Sequence, residues 1–302
     1  MLKTMRTPTV LALVILVAAC TSSGGSTPPA TSPDGSGSPT ETPVGGPDFG
    51  AIDHPTGPTD VILRFEEGGG FVMVAFLATQ APAFTLYGDG TIIFRNQLLD
   101  PLEPVGSVYP MHPFRTARLN EEQVQDLLTS ALGEFGLGVA RPDYPNDQVA
   151  DAGTAVFTVN AGGLKKTVSV YALGLEVDGM ADAAARAAFA RLAERLQNID
   201  SGGVFDTTDY APDRYRGILL EGQPGVPDAK AWPWPDIAPA DFVSNGDPNA
   251  FQLPARVMST EEIELLGIKP FEGGFQALTL LGPDDGRVHS FSLRPLLPDE
   301  TA

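Results

Sequence analysis

Short runs in which apolar and polar residues alternate predict that much of the folded part consists of β-strands. Val61–Phe65 alternates in this way, and the glycines from Gly68 to Gly70 then predict a turn. The apolar run Phe71–Phe76 is predicted to be a second strand. Two further strands are predicted at 214–221 and 253–258. Strand pairs joined by glycine-containing turns predict hairpins at 84–94, 155–171 and 275–293.

Apolar residues spaced three and four positions apart predict three helices. Asn120 and Ser259 each open a capping box, with Gln or Glu three residues later, so a helix is predicted to begin at each point. The longest helix is predicted over 180–198, where Asp182 and Arg186 form an i,i+4 pair. Its apolar stripe consists of Phe189, Leu192, Leu196 and Ile199.

These elements predict an α+β fold made of antiparallel β-hairpins and sheets with two or three amphipathic helices. Segments 117–122 and 255–262 lead into the two capped helices with similar residues, and a hairpin follows each helix. One interpretation is a pseudo-repeat of two α+β units, 59–202 and 203–302. The alternative is coincidence, because capping boxes are common at helix starts.

The first twenty residues have the pattern of an export signal. Lys3 and Arg6 form a positive start, and Val10 to Ala19 is an unbroken apolar run. A run of about ten residues is too short to cross a bilayer, which takes about 20, but it suits the apolar part of a signal peptide. We therefore predict that residues 1–19 are a signal peptide.

The end of this run, Val17-Ala18-Ala19-Cys20, resembles the lipobox of bacterial lipoproteins that signal peptidase II processes. The resemblance implies that the Cys20 thiol carries diacylglycerol, that the chain is cut just before Cys20, and that the new amino terminus is acylated. Several acyl chains anchor a protein stably. The membrane would then be a partner through Cys20, on the extracytoplasmic face of a bacterial membrane. The alternatives are an ordinary secretion signal with an incidental cysteine and an uncleaved anchor.

Residues 20–58 are predicted to be the lipidated cysteine and a disordered tether. Beyond Cys20 this stretch is dominated by Gly, Ser, Thr and Pro, a composition typical of flexible linkers. Such a tether would hold the folded part away from the membrane.

Charge and cysteine content exclude several classes of protein. Acidic residues number 38 and basic residues 19, which gives a formal net charge of −19. We expect no nucleic-acid partner, because nucleic-acid binding needs a basic surface. The single cysteine excludes an internal disulfide and a thiolate zinc site. Hydrophobic residues make up 42% of the chain, which is enough to build a core.

No catalytic or metal-binding motif stands out in the sequence. The three histidines share no motif, and no acidic turn has the spacing of a calcium loop, so we predict no metal and no cofactor. The glutamate pairs at 121–122 and 261–262 lie at predicted helix N-termini, where the helix dipole explains them without catalysis. Because G-x-S-x-G and phosphate-loop motifs are also missing, we assign no catalytic residues.

The strongest candidate for a binding feature is Ala231–Asp236, which contains both tryptophans of the chain. Trp232 and Trp234 alternate with prolines, a pattern that favours an extended backbone. Side chains two positions apart point differently along such a backbone, so we expect that both rings do not easily enter one core. They would then form a rigid aromatic platform that stacks on a sugar or docks a partner. The alternative is a loop strapped across a sheet, with its rings filling a groove.

Phe84–Thr91, Val168–Gly174, the tryptophan–proline run and Leu293–Pro298 resemble segments of bacterial secreted and lipoprotein domains of uncharacterised function. This resemblance implies a folded unit outside the cell and supplies no catalytic residues. We therefore expect a lipid-anchored cell-envelope protein that is a non-enzymatic binding or interaction module for a protein or a wall glycan. The alternatives are an envelope hydrolase that uses a carboxylate pair and a structural or assembly factor.

Overall fold

The computed structural model describes residues 50–95, 99–176, 179–222, 229–244, 253–283 and 286–301. The predicted signal peptide, Cys20 and most of the predicted tether lie outside the described residues. The strands of the described part are β1 Val61–Gly69, β2 Phe84–Tyr87, β3 Thr91–Phe94, β4 Tyr109–Pro110, β5 Arg115–Arg118, β6 Asp143–Tyr144, β7 Gly153–Ala161, β8 Leu164–Tyr171, β9 Thr208–Asp209, β10 Arg214–Glu221, β11 Lys230–Ala231, β12 Ala255–Ser259, β13 Phe275–Leu281 and β14 Val288–Pro295. Its α-helices are α1 Val74–Thr79, α2 Glu121–Thr129, α3 Ala183–Gln197 and α4 Thr260–Glu264.

Eight of these strands form one sheet, in the order β6-β8-β7-β1-β2-β3-β5-β9. All neighbouring strands in it are antiparallel except β6 and β8 at one edge. The central strands β1 and β7 place Phe65 opposite Phe157, and the two rings stack with centroids 4.9 Å apart. The predicted α+β class with antiparallel sheets is therefore confirmed for the described part.

Helices α2 and α3 supply the apolar side chains that cover this sheet. Asn120 caps α2, because its side chain accepts a hydrogen bond from Gln123 N at 2.9 Å and Asn120 N donates to the Gln123 side chain at 2.9 Å. The residues of both helices that enter the core are Val124, Leu127, Leu128, Phe189, Leu192, Ala193 and Leu196. Burying one large apolar side chain contributes roughly 1.5–3 kcal/mol, so these helices are held mainly by packing. Both predicted helices are confirmed.

The other strands form a second sheet, in the order β11-β13-β14-β10-β12, with β4 also paired to β13. This sheet has its own core, which includes Phe275, Phe291 and Ile263 from α4. Helix α4 begins at the predicted capping box, in which Ser259 and Glu262 bond to each other's backbone N–H groups.

Several contacts join the two sheets into one compact unit. Strand β4 comes between β3 and β5 in the chain, yet it pairs with β13 of the second sheet, where Pro110 lies opposite Phe275. Asp299, near the end of the chain, accepts hydrogen bonds from Arg64 Nη2 on β1 at 2.6 Å and from the Tyr87 hydroxyl on β2 at 2.7 Å. The segment after β14 is therefore fastened to the first sheet.

The predicted strand Phe71–Phe76 is wrong. Strand β1 continues to Gly69, the left-handed backbone of Gly69 and Gly70 turns the chain out of the sheet, and the short helix α1 follows. Phe71 is 91% exposed and Met73 is 76% exposed, so these side chains have left the core. Intrinsic strand preference is weak, and here the glycine turn outweighs it.

The three predicted hairpins are confirmed as β2–β3, β7–β8 and β13–β14, although residues 284–285 of the last turn lie outside the described part. Residues 50–58, the end of the predicted tether, contact the fold. Ile52 N donates to Gln125 Oε1 at 2.7 Å, and Gln125 Nε2 donates back to Ile52 O at 3.0 Å. The end of the predicted tether is therefore hydrogen-bonded to α2.

Candidate functional site

A cavity of about 460 Å³ lies beside α1, where the first sheet meets the β4–β13 edge of the second sheet. This volume falls in the range of small-molecule sites, about 300–1,000 Å³. The apolar residues that line it are Phe76, Ala81, Ala83, Pro101, Leu102, Pro110, Met111 and Pro113. The polar ones are Glu67, Thr79, Gln80, Arg95, His112 and Gln276. The wall is thus largely apolar, with a few polar groups.

The chain around β4 forms one wall of the cavity. Met111 N donates to Gly274 O at 3.0 Å, and His112 Nε2 lies 2.8 Å from the carbonyl oxygen of Asp100. Gly273 permits this close approach, because a Cβ at that position would lie 2.0 Å from Met111 O. The wall is therefore fixed by backbone contacts with the second sheet.

Arg95 supplies a positive charge to the lining. Its backbone N–H donates to Ala83 O at 2.9 Å, which continues the β2–β3 hairpin. The guanidinium lies over the Phe114 ring, with Cζ 4.2 Å from the ring centroid. Its Nη2 atom is buried and has no hydrogen-bond partner among the described residues. Burial, and to a smaller extent the positive charge of Arg294, lowers the pKa of Arg95 to about 10.

The charged groups nearby are engaged with other partners. Arg294 donates to both carboxylate oxygens of Glu300, at 2.8 and 2.7 Å. Glu67, which also lines the cavity, accepts a hydrogen bond from Gln197 Nε2 at 3.0 Å. Burial raises the pKa of Glu67, and the hydrogen bond from Gln197 opposes part of that rise. Neither Glu300 nor Glu67 forms an ion pair with Arg95, so the cavity presents Arg95 as a cation without a carboxylate partner among the described residues.

The segment that leads into α1 exposes apolar side chains. Phe71 is almost fully exposed, Met73 is largely exposed, and Phe76, which lines the cavity, is 48% exposed. At the end of α1 the Thr79 hydroxyl accepts a hydrogen bond from the Gln276 amide of β13. Clustered exposed apolar side chains mark interaction sites in soluble proteins. One side of the cavity is thus formed by an apolar segment that the described residues leave largely exposed.

The predicted platform at Trp232 and Trp234 is partly buried. Trp234 is 3% exposed, belongs to the second core and donates from Nε1 to Glu262 O at 2.7 Å. Trp232 is half-buried against it, with ring centroids 5.1 Å apart at 81°, and donates to Ile237 O at 2.6 Å. Only Trp234 therefore enters the core, whereas Trp232 packs against it edge to face, and each indole N–H donates to a carbonyl.

An open groove of about 510 Å³ runs along the same segment. Trp232, Asp236 and Asp241 line it together with neighbouring prolines. The Asp241 carboxylate accepts a hydrogen bond from Ala238 N at 2.8 Å, whereas Asp236 is exposed. Trp234 also lines the groove, so the groove combines parts of two tryptophan side chains with two carboxylates, and binding there stays a prediction.

The glutamates at the helix starts are engaged in local hydrogen bonds. The Glu262 carboxylate accepts from Ser259 N at 2.9 Å and from both terminal nitrogens of Arg256 at 3.0 and 2.9 Å. The hydrogen bonds from Arg256 lower the pKa of Glu262. Glu121 accepts from Gln125 Nε2 at 2.8 Å, and this bond lowers the pKa of Glu121. Helix capping and local pairing thus account for both carboxylates.

Among the described residues, no three His, Cys, Asp or Glu side chains lie close enough together to hold a metal ion. The histidines lie in different places: His54 beside α2, His112 in the cavity wall and His289 against the Trp232 ring. Within the same described ranges, no helix combines the length and the apolar character needed to cross a membrane.

Comparison with protein families, with curated proteins and with solved structures gives no match for this chain. The likeness to bacterial lipoproteins depends on the residues up to Cys20 and stays a prediction. Sequence reasoning missed Arg95, because an arginine directly after a hairpin strand gives no signal of its own. Its burial and lack of a partner come from packing between segments that are distant in the chain.

Proposed function

We propose that this chain is a lipid-anchored cell-envelope protein whose folded part is a non-enzymatic binding module. The leader, the lipobox at Cys20 and the tether support the anchor and an extracytoplasmic location. The observation that supports binding most strongly is the largely apolar cavity beside α1, with Arg95 in its wall. Membrane attachment would come from the lipid, because a chain with a net charge of −19 is repelled by anionic headgroups.

The polar groups of this cavity favour binding over catalysis. The Thr79 hydroxyl donates to carbonyl oxygens of its own helix, at 3.3 and 3.2 Å, so no base activates it. Glu67 is the single carboxylate among the described lining residues, whereas acid–base cleavage of a glycoside uses two. A concave site with an apolar wall and few polar groups is the usual form of a small-molecule site.

Native mass spectrometry of the full chain, purified from its own envelope, tests the cavity. We expect a small molecule to add its mass to the wild-type protein and to be lost from an Ala81→Trp variant, whose indole would occupy the cavity. The matched control is Ala187→Trp on the exposed side of α3, which should keep the added mass. A wild-type protein without bound molecules, or an added mass that survives in Ala81→Trp, would contradict this site.

Membrane fractionation tests the anchor independently of the cavity. Replacing Cys20 with Ala removes the thiol that would carry the lipid, so the protein should leave the membrane fraction. If the Cys20→Ala protein stays with the membrane, the proposed lipoprotein anchor is wrong.

The groove at Trp232 supports a second candidate, which is binding of a wall glycan. A partly exposed aromatic ring beside the carboxylates of Asp236 and Asp241 offers stacking and hydrogen bonding to a sugar. Co-sedimentation with purified wall material should then fall in a Trp232→Ala variant that remains folded. Unchanged co-sedimentation would remove this candidate.

The alternative of an envelope hydrolase also depends on Asp236 and Asp241, since they are the two carboxylates of one groove. It predicts that the protein releases new reducing ends from wall material and that Asp236→Asn or Asp241→Asn abolishes the release. We expect no release from the wild-type protein.

The pseudo-repeat of two α+β units remains part of the proposal. Its support is local: α2 and α4 both follow a strand and both begin at a capping box. The hairpins that follow the two helices join their sheets through different strands. The β7–β8 hairpin joins through its first strand, because β7 pairs with β1. The β13–β14 hairpin joins through its second strand, because β14 pairs with β10. Separate expression of 59–202 and 203–302 would test whether each unit folds alone.

A further inference from the structure

Arg95 is a half-buried cation whose Nη2 atom is shielded from water and has no acceptor among the described residues. A buried donor without a partner destabilises the fold, and more so when it is charged. The ring of Phe114 supports the guanidinium from one face but accepts no conventional hydrogen bond. Arg95 therefore has unused capacity to bind an anion.

The neighbouring charges leave this capacity open. Arg294 adds a second positive charge near Arg95, but Glu300 takes up that charge through two hydrogen bonds. Glu67 accepts a hydrogen bond from Gln197 Nε2 and forms no ion pair with Arg95. An anion that satisfies Arg95 would therefore come from outside the described chain, and the cavity is the space that Arg95 itself lines.

The rest of the wall indicates what the anion is attached to. Phe76, Leu102 and Met111 face the same cavity, and they offer an apolar molecule contact but no hydrogen bonds. Phe76 belongs to the segment with exposed Phe71 and Met73, so apolar surface continues from the cavity wall into solvent. An inorganic anion would leave this apolar wall unused.

We propose that the ligand of this cavity is an organic carboxylate with an apolar body, whose carboxylate pairs with Arg95 and whose body lies against Phe76, Leu102 and Met111. A carboxylate fits because its two oxygens match the fork of N–H donors on a guanidinium. This inference rests on the proposed binding function and names the class of ligand.

Calorimetry with three probes tests it: decanoate, 1-decanol and acetate. The protein is the full chain carrying Cys20→Ala, so that no acyl group of its own competes for the cavity. Decanoate should bind most tightly, because it has both the carboxylate and the apolar body. Decanol should bind more weakly, and acetate should show no measurable binding.

The decisive variant is Arg95→Met, which keeps an unbranched apolar stem and removes the charge. It should weaken decanoate binding about 10–100-fold, the effect of losing a charged hydrogen-bonded pair. It should change decanol binding less than about threefold. Arg95→Lys should recover part of the decanoate affinity. The matched control Arg191→Met, at an exposed arginine on α3, should change neither affinity.

Thermal unfolding of the same variants separates ligand binding from a structural role. The unfolding midpoint of Arg95→Met should be unchanged or higher, because the variant removes a buried N–H donor that has no acceptor among the described residues. A lower midpoint, or equal decanoate affinity in Arg95→Met and wild type, would overturn the inference. The binding function would still stand if mass spectrometry finds a bound molecule that Ala81→Trp loses, so the two failures are distinguishable.

Discussion

Two arginines withdrawn from water, Arg186 on α3 and Arg95 after β3, have opposite surroundings. Arg186 is fully buried, and every nitrogen of its guanidinium has an acceptor. The acceptors are Asp182 Oδ1 at 3.2 Å and the carbonyl oxygens of Tyr171, Tyr144 and Pro145 at 2.9, 2.7 and 2.6 Å. Arg95 Nη2 is buried as well, but it has no acceptor in the described part of the chain.

The difference shows how the same side chain serves stability in one place and binding in another. A buried charge is compatible with a stable fold when its hydrogen bonds are complete. Arg186 meets that condition and ties α3 to Tyr144 of β6 and Tyr171 of β8. Arg95 does not meet it, and proteins break such local rules mainly at functional sites. Four substitutions test the contrast.

Arg186→Met should have the largest effect. Removing the guanidinium leaves buried carbonyl oxygens without donors, so the free energy of unfolding should fall by about 3–5 kcal/mol. Urea unfolding followed by circular dichroism measures this change. A loss below about 1 kcal/mol would mean that Arg186 is not the structural tie proposed, since a typical net hydrogen bond contributes that much.

Glu300→Gln should come next, because it removes the carboxylate that neutralises Arg294 beside Arg95. The glutamine keeps part of the hydrogen bonding, so we expect a loss of about 2–3 kcal/mol near neutral pH. Urea unfolding at several pH values measures it.

The pH dependence of this loss follows from the pKa of Glu300. Burial alone would raise that pKa, but the hydrogen bonds and charge of Arg294 hold it below the ordinary value of 4.5. A lowered carboxyl pKa stabilises the fold above the unfolded pKa, and this stabilisation is lost as pH falls through the folded pKa. The gap between wild type and Glu300→Gln should therefore narrow below about pH 4.5. A gap that stays constant down to pH 2 would contradict the pairing.

Arg95→Met should have a smaller effect of the opposite sign to Arg186→Met. The variant loses the contact with the Phe114 ring, but it no longer buries the Nη2 donor without an acceptor in the described part of the chain. We expect the free energy of unfolding to stay the same or to rise by up to about 1 kcal/mol. The same urea titration compares the two arginines directly, and equal losses would erase the proposed distinction.

Arg191→Met should have the smallest effect. Arg191 is exposed on α3 and lies over the Phe135 ring at 5.9 Å, a distance at which the contact is weak. The free energy of unfolding should change by less than about 0.5 kcal/mol. A larger change would show that an arginine-to-methionine replacement alters stability even at an exposed site. The change measured for Arg191→Met would then have to be subtracted from those of Arg186→Met and Arg95→Met.

Local patterns predicted much of the architecture. The capping box at Asn120 and the apolar stripe of α3 depend on residues a few positions apart, and both helices form where predicted. The ion pair of Asp182 with Arg186 also forms, at 3.2 Å. The sequence could not show that this arginine is fully buried, because its other acceptors lie 15 or more positions away.

The same limit explains the failures. Phe71–Phe76 has the composition of a strand, but the turn at Gly69 and Gly70 moves it out of the sheet. The tryptophan–proline run did not show which of the two rings would be buried. The second sheet buries Trp234 and packs Trp232 against it. Contacts with distant segments outweighed a preference read from neighbouring residues.

By itself, the sequence determined the acidic charge, the capped helices and the glycine-turn hairpins, because the two kinds of element depend on residues close together in the chain and the charge on composition alone. The lipid anchor at Cys20 remains a prediction from the sequence. Only the tertiary structure decided that β4 crosses to the second sheet, that a cavity forms beside α1, and that Arg95 Nη2 is buried there without an acceptor in the described part while Arg186 is fully paired. Whether a charged side chain is buried and paired depends on the groups that distant segments place beside it. The pattern of neighbouring residues does not contain that information.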